Sequence, residues 1–269
     1  MPEQTQRRRF KLYSKINPMR RDGRRLQVGK GIYILPSLFT SGSLFCGFFA
    51  VTTSINATNN DMFFRSILAI IVASFLDSFD GRVARLTNTT SRFGMEYDSL
   101  SDLVSFGLAP AVTFYCWGLR DLGKLGWVGC FLFFACAALR LARFNSTDTV
   151  TAAKGYFNGL PTPAAALTLA ATFILARDLW PDVRGDSVFL LGLTYVVAFL
   201  MVSNIRYRNF KDFDFRSKRS FRMLIAIVVS LAVLAWQTEI ILFLLAMTYS
   251  LGLPMWRIVT ERVLHREEA

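Results

Sequence analysis

The sequence is nearly without histidine. Its single one, His265, sits in a charged tail and reads as solvated, so imidazole catalysis and His-ligated metal centres have no residues to build on. Cysteine is sparse too. Cys46, Cys116, Cys130 and Cys136 all lie within apolar runs, with no CxxC pair, which excludes a zinc knuckle and gives no disulfide framework. Acidic residues are few, 19 against 31 Lys and Arg, for a net charge of +12. That excess does not point to nucleic acid, because the basic residues gather at the ends of apolar runs, as topology signals and contacts with anionic lipid do. A cleavable leader is not expected, since the first long apolar run begins near residue 31, behind a basic extension. Internal repeats and low-complexity tracts are also missing.

Apolar residues make up 53% of the chain, with 25 Phe, too greasy for a soluble domain of 269 residues. Apolar runs fall at about 31–55, 63–85, 98–118, 125–145, 160–178, 187–206, 220–237 and 239–257. The expected fold is therefore all-α: a polytopic membrane bundle of about eight transmembrane helices. An even number of spans puts both termini on one side. With the N-terminus inside, 26 of the 31 basic residues fall on the cytoplasmic face, leaving Arg65, Arg120, Lys124, Arg177 and Arg184 outside. Residues 1–30 carry ten Lys or Arg interleaved with Phe10, Leu12, Tyr13, Ile16 and Met19. This arm reads either as an interfacial amphipathic helix or as an unstructured basic tail. The last hairpin, 220–257, has no acidic residue before Glu239 and reads as an appended, mainly structural element.

Against this apolar background one charged stretch stands out. Asp77, Asp80, Gly81, Ala84 and Arg85 fall at i, i+3, i+4, i+7 and i+8, on one helical face. Gly94, Asp98 and Asp102 share one face of a second helix, and the polar run 87–91 between them suits a turn. Two such helices aim four carboxylates at one another, an arrangement that calls for a divalent cation such as Mg²⁺. Bare backbone at Gly81 and a guanidinium at Arg85 suit a phosphate-bearing ligand. The bland alternative is a set of solvated aspartates at a helix end, which gives no reason for one shared face. An ion or proton transporter is the rival from another class. It is disfavoured because no second acidic cluster continues a path across the membrane. A structural scaffold leaves the aspartates unexplained.

These residues resemble the pattern of the CDP-alcohol phosphatidyltransferases, D-x2-D-G-x2-A-R-x8-G-x3-D-x3-D, filling all eight positions with every spacing intact. The segments Asp98 to Pro110, Arg140-Leu-Ala-Arg143-Phe-Asn145 and Gly159-Leu-Pro161-Thr-Pro163 are similar to the phosphatidylserine synthase branch. The likeness covers about 31–211 and implies a six-helix catalytic core there. The basic arm 1–30 lies outside it, as does 212–269, with its basic loop, hairpin and tail. The resemblance implies transfer of a phosphatidyl group from CDP-diacylglycerol to L-serine, two divalent ions (Mg²⁺ or Mn²⁺), and a homodimer among membrane lipids. It also implies a cytoplasmic (inner) membrane with the active site facing the cytoplasm. Asp77, Asp80, Asp98 and Asp102 would be metal ligands, with Asp102 also the general base. Gly81 and Arg85 would contact the CDP portion. Family members carry Pro-Asn-x-x-Thr at the first span; here Ser37 departs and Thr40 matches, so Thr40 is a candidate nucleotide contact, or else a capping hydroxyl. Arg140 and Arg143 are candidates for phosphate or for the serine carboxylate, their alternative being basic residues that snorkel at a helix end. Sister transferases that use glycerol 3-phosphate, inositol phosphate or choline remain open at this point.

Overall fold

The structure, a computed structural model, describes residues 34–86, 91–146, 156–179, 187–208 and 238–252. The basic arm, the expected span at 220–237 and the C-terminal tail lie outside the described residues. Helix α1 (Ile34–Ile55) carries Pro36 in its first turn, where a missing N–H costs no helical hydrogen bond. A short turn leads to α2 (Asn60–Leu86), which is capped by Asn59, whose side-chain oxygen accepts from the Met62 amide at 3.0 Å. Asp61 adds a negative charge to that positive helix end. Helix α3 (Arg92–Asp102) begins at Ser91, whose hydroxyl accepts from the Gly94 amide at 3.0 Å.

From α3 the chain continues without a break through a π-helical segment, Leu103–Leu108, into α4 (Ala109–Trp117). A 3-10 turn over Leu119–Leu122 then leads to α5 (Lys124–Ser146), followed by α6 (Thr162–Leu179), α7 (Ser187–Val202) and α8 (Thr238–Met247). A second π-helical segment, Thr248–Gly252, extends α8.

Four described helical stretches are long and apolar enough to cross a membrane: Ser37–Ile55, Asn60–Val83, Arg92–Trp117 and Lys124–Ser146. Three shorter apolar helices, Thr162–Arg177, Val188–Val202 and Leu242–Gly252, pack with them. The outward faces carry Phe45, Phe48, Phe75, Phe131 and Phe199, all exposed, as a lipid-facing surface would be. Inside, Trp117 is held edge-on between Phe114 and Phe173, with ring centroids at 5.5 and 4.7 Å. Gly47 lets α1 approach α4's leading segment so closely that an added Cβ would lie 2.7 Å from the Ser105 Cα.

One feature departs from a purely helical expectation. Tyr156–Asn158 (β1) and Arg206–Arg208 (β2) form a small antiparallel ribbon, pairing Phe157 with Tyr207. Gly159 follows at φ +81°, its amide donating to the Ile205 carbonyl at 2.9 Å, and a side chain there would strike the Met201 carbonyl. The ribbon brings the entry to α6 beside the exit from α7, where one continuous apolar run to 206 was expected. Helix α8 is helical as expected. Its extension is part of the packed bundle, with the Ser250 and Thr168 hydroxyls 2.6 Å apart.

Helix α2 defines the two ends of the molecule. At its start Asp61 meets Arg177 of α6 at 2.7 Å, and that guanidinium lies 4.4 Å from the Phe64 ring centre. Asp77 and Asp80 stand near its far end, roughly 25 Å away at 1.5 Å per residue.

Candidate active site

The acidic residues of α2 and α3 converge. Carboxylate oxygens of Asp77, Asp98 and Asp102 all lie within 4.8 Å of one another. Asp102 is in hydrogen-bonding range of Asp77, and Asp98 of Asp80. Asp80 is not in the tight triad. It is only 5% exposed and turns toward α1, where the Thr40 hydroxyl donates to its Oδ2 at 2.8 Å. Like charges this close repel strongly. The Oδ1 atoms of Asp98 and Asp102 are enclosed, without a hydrogen-bond partner. Oxygen-only donors with buried, unspent lone pairs fit a hard divalent cation, which takes several carboxylate oxygens at once.

Glycine at 81 has no packing reason. A Cβ built there meets nothing within 4 Å, whereas one at Gly107 would press on Ala137 and Leu103. Gly81 therefore leaves open a strip of backbone beside Asp80. Replacing it with Ala is expected to keep or slightly raise stability, by up to about 1 kcal/mol of helix propensity. The same change should raise the KM for a phosphate-bearing donor. Thermal melting and initial rates on one preparation check both halves, and a lowered melting temperature with an unchanged KM would refute this reading. Arg85 lies in the last turn of α2, and its side chain is outside the described residues.

The two arginines of α5 differ. Arg140 is half-buried, donates to the Thr162 hydroxyl at 3.2 Å, and leaves its enclosed Nε without a partner. Its electrostatic neighbours are Asp102 and Tyr249. Arg143 is exposed and donates to the Asn204 side-chain oxygen at 2.8 Å. Arg140 thus belongs to the aspartate cluster's surroundings, while Arg143 stands at its rim beside α7. At the same rim, the Asn145 amide nitrogen donates to Ser99 at 3.0 Å and to Glu96 at 3.3 Å, tying the end of α5 to α3.

Sequence reasoning had not singled out Thr162, Asn204 or Tyr249 as neighbours of these arginines. Thr162 lay within a noted segment, but its hydroxyl role depends on the ribbon that sets the start of α6. Tyr249 carried no local signal, since one tyrosine in an apolar run is commonplace. It also lines an apolar cleft of about 640 Å³ between α2, α6 and α8, bordered by Phe75, Ser78 and Leu245.

Comparison with known proteins bears on the family of this chain. The CDP-alcohol phosphatidyltransferase family profile matches residues 33–251, and so runs beyond residue 211 into the last described helix. The chain is 40% identical over 195 residues to the CDP-diacylglycerol–serine O-phosphatidyltransferase of Helicobacter pylori strain J99, covering 72% of this chain and 80% of that protein. It is 32% identical over 229 residues to the Mycobacterium leprae protein of the same name, covering 83% and 74%. The Bacillus subtilis protein of that name is 33% identical over 177 residues, covering 66% and 91%. With the motif complete, its aspartates gathered at one end of an apolar bundle and the profile matched through the last described helix, this chain belongs to the CDP-alcohol phosphatidyltransferase family.

Proposed function

We propose that this protein transfers the phosphatidyl group of CDP-diacylglycerol to the hydroxyl of L-serine, giving phosphatidylserine and CMP. The observation that carries this reading is the meeting of Asp77, Asp98 and Asp102 within 4.8 Å, in a chain whose relatives bear that activity in their names. In the reaction the serine oxygen forms a bond to the lipid-bearing phosphorus, and the bond from that phosphorus to the CMP oxygen breaks. Asp102 takes the hydroxyl proton, its enclosed Oδ1 being unspent. Asp77, Asp80, Asp98 and Asp102 are the residues that would hold two divalent cations, Mg²⁺ or Mn²⁺, which when bound neutralise the diphosphate and the entering and leaving oxygens. Gly81 exposes backbone to the CDP portion, and Arg85, one helical turn on, gives it a cation.

Arg140 receives the serine carboxylate in this scheme. It lies beside Asp102, is already oriented by Thr162, and its partnerless Nε can complete a two-pronged contact. Arg140→Lys keeps the charge but loses the fork, so the KM for serine should rise about tenfold while that for CDP-diacylglycerol changes little. Arg143→Lys, at the exposed rim, should have a smaller effect. Steady-state kinetics with each substrate varied in turn test this ordering, and a rise confined to the donor KM would move Arg140 to the donor site.

The same reading takes the whole chain as about eight spans of the cytoplasmic (inner) membrane, with both termini and the aspartates on the cytoplasmic side. Residues 31–211 form a six-helix catalytic core working as a homodimer, 1–30 an arm on the lipid surface, and 212–269 an addition to that core. Purified protein supplied with CDP-diacylglycerol and a panel of labelled alcohols decides the acceptor. Serine should be preferred. Preference for glycerol 3-phosphate, inositol phosphate or choline would reject the serine assignment while leaving the family chemistry in place.

A further inference from the structure

The aspartates stand on α2 and α3, but both helices take their spacing from α1. Thr40 of α1 is contacted from both sides. Its hydroxyl donates to Asp80 of α2 at 2.8 Å, and its carbonyl accepts from the Ser101 hydroxyl of α3 at 3.0 Å. One turn further along, the pattern repeats with Ser43. That hydroxyl donates to the Ala73 carbonyl of α2 at 3.2 Å, and its carbonyl accepts from Ser105 at 2.9 Å. Thr40, Ser43, Ser101 and Ser105 are all buried, so each rung is made away from water, where a lost partner is costly. A third link, Ser41 to the Tyr97 hydroxyl at 2.9 Å, joins α1 to the residue before Asp98.

We infer that Thr40 is a positioning residue that aims Asp80 and sets the gap between the two aspartate helices, rather than a nucleotide contact. The Thr40 hydroxyl holds Asp80 Oδ2 on the α1 side, while the same carboxylate stays in hydrogen-bonding range of Asp98 on α3. Ser101, immediately before Asp102, anchors the opposite wall to Thr40. The inference rests on the metal reading given above for these aspartates.

The test uses full-length protein purified in lipid nanodiscs without substrate, titrated with Mn²⁺ while the free ion is followed by electron paramagnetic resonance. Thr40→Val keeps the shape and removes the donor, and should weaken Mn²⁺ binding by about 10- to 100-fold, as loss of a hydrogen bond behind a ligand does. Thr40→Ser retains the hydroxyl and should bind nearly as the wild type does. Ser101→Ala should weaken binding less, because it frees one wall and not the carboxylate itself. Melting temperatures establish that each variant is folded. A folded Thr40→Val with wild-type Mn²⁺ affinity overturns the inference, and so does a Thr40→Ser as weak as Thr40→Val. If Thr40→Val binds Mn²⁺ normally but loses affinity for added CDP, the residue is a nucleotide contact after all. Should Thr40→Val not fold, Ser101→Ala decides in its place: unchanged Mn²⁺ affinity refutes the spacing role, and weakened affinity supports it. Wild-type protein that takes up no Mn²⁺ overturns the metal reading, and this inference with it.

Discussion

Asp102→Asn is expected to fold, insert and bind donor, yet to lose turnover by about 10²- to 10⁴-fold, the usual worth of a positioned general base. Asparagine matches the shape of aspartate and relieves repulsion within the cluster, so stability should hold or rise. What it lacks is a carboxylate able to take a proton. In the structure Asp102 is the aspartate beside Arg140, in hydrogen-bonding range of Asp77, and its Oδ1 is enclosed without a partner. An oxygen so placed has no structural duty that would explain its burial. Release of labelled CMP, measured on wild type and variant of matched size-exclusion profile, gives the answer. Product formation at the wild-type rate by a folded variant would remove Asp102 from the chemistry.

Thorough chelation should abolish activity outright, and adding Mg²⁺ or Mn²⁺ should restore it. Carboxylates crowded to within 4.8 Å at the end of an apolar bundle are poorly screened by water. Without a cation, mutual repulsion should spread the cluster and leave the donor's diphosphate uncompensated. Zinc held by thiolates plays no part in this account. Cys46, Cys116, Cys130 and Cys136 lie in or against the apolar core without disulfides, so a variant with all four replaced by Ala should keep the same metal requirement. Full activity after exhaustive chelation would end the divalent-cation mechanism, whatever the fate of the cysteines.

Much of the site was legible because helical spacing is a local property. Asp77 and Asp80, and Asp98 and Asp102, each share a face that can be read by counting along one helix, and the pairing of the two helices followed from a short polar turn. The partner of Thr40 was not legible. It lies forty residues away, and only the packing of α1 on α2 brings the Asp80 carboxylate to that hydroxyl. The same holds for Tyr249, which the last described helical segment brings into the electrostatic surroundings of Arg140. Nor did Tyr156–Asn158 and Arg206–Arg208 announce a ribbon. Three residues are too few to display the alternation of a strand, and their pairing depends on how α6 and α7 are placed. The apolar runs located the described helices well but overran some ends, since apolar content does not show where a helix gives way to a glycine turn.

The π-helical segment between Asp102 and Ala109 has a consequence for register. A π turn takes one residue more than an α turn, so it resets the azimuth of everything before it relative to everything after. Upstream lie the aspartates. Downstream, Thr113, Phe114 and Trp117 are locked in the core. A one-residue deletion within 103–108 would leave composition and hydropathy almost unchanged, yet turn one half against the other by roughly 100°, the step of a single helical residue. Either the carboxylates would swing out of the cluster or Phe114 and Trp117 would turn together away from Phe173 of α6. In this stretch the count of residues, and not only their kind, carries information.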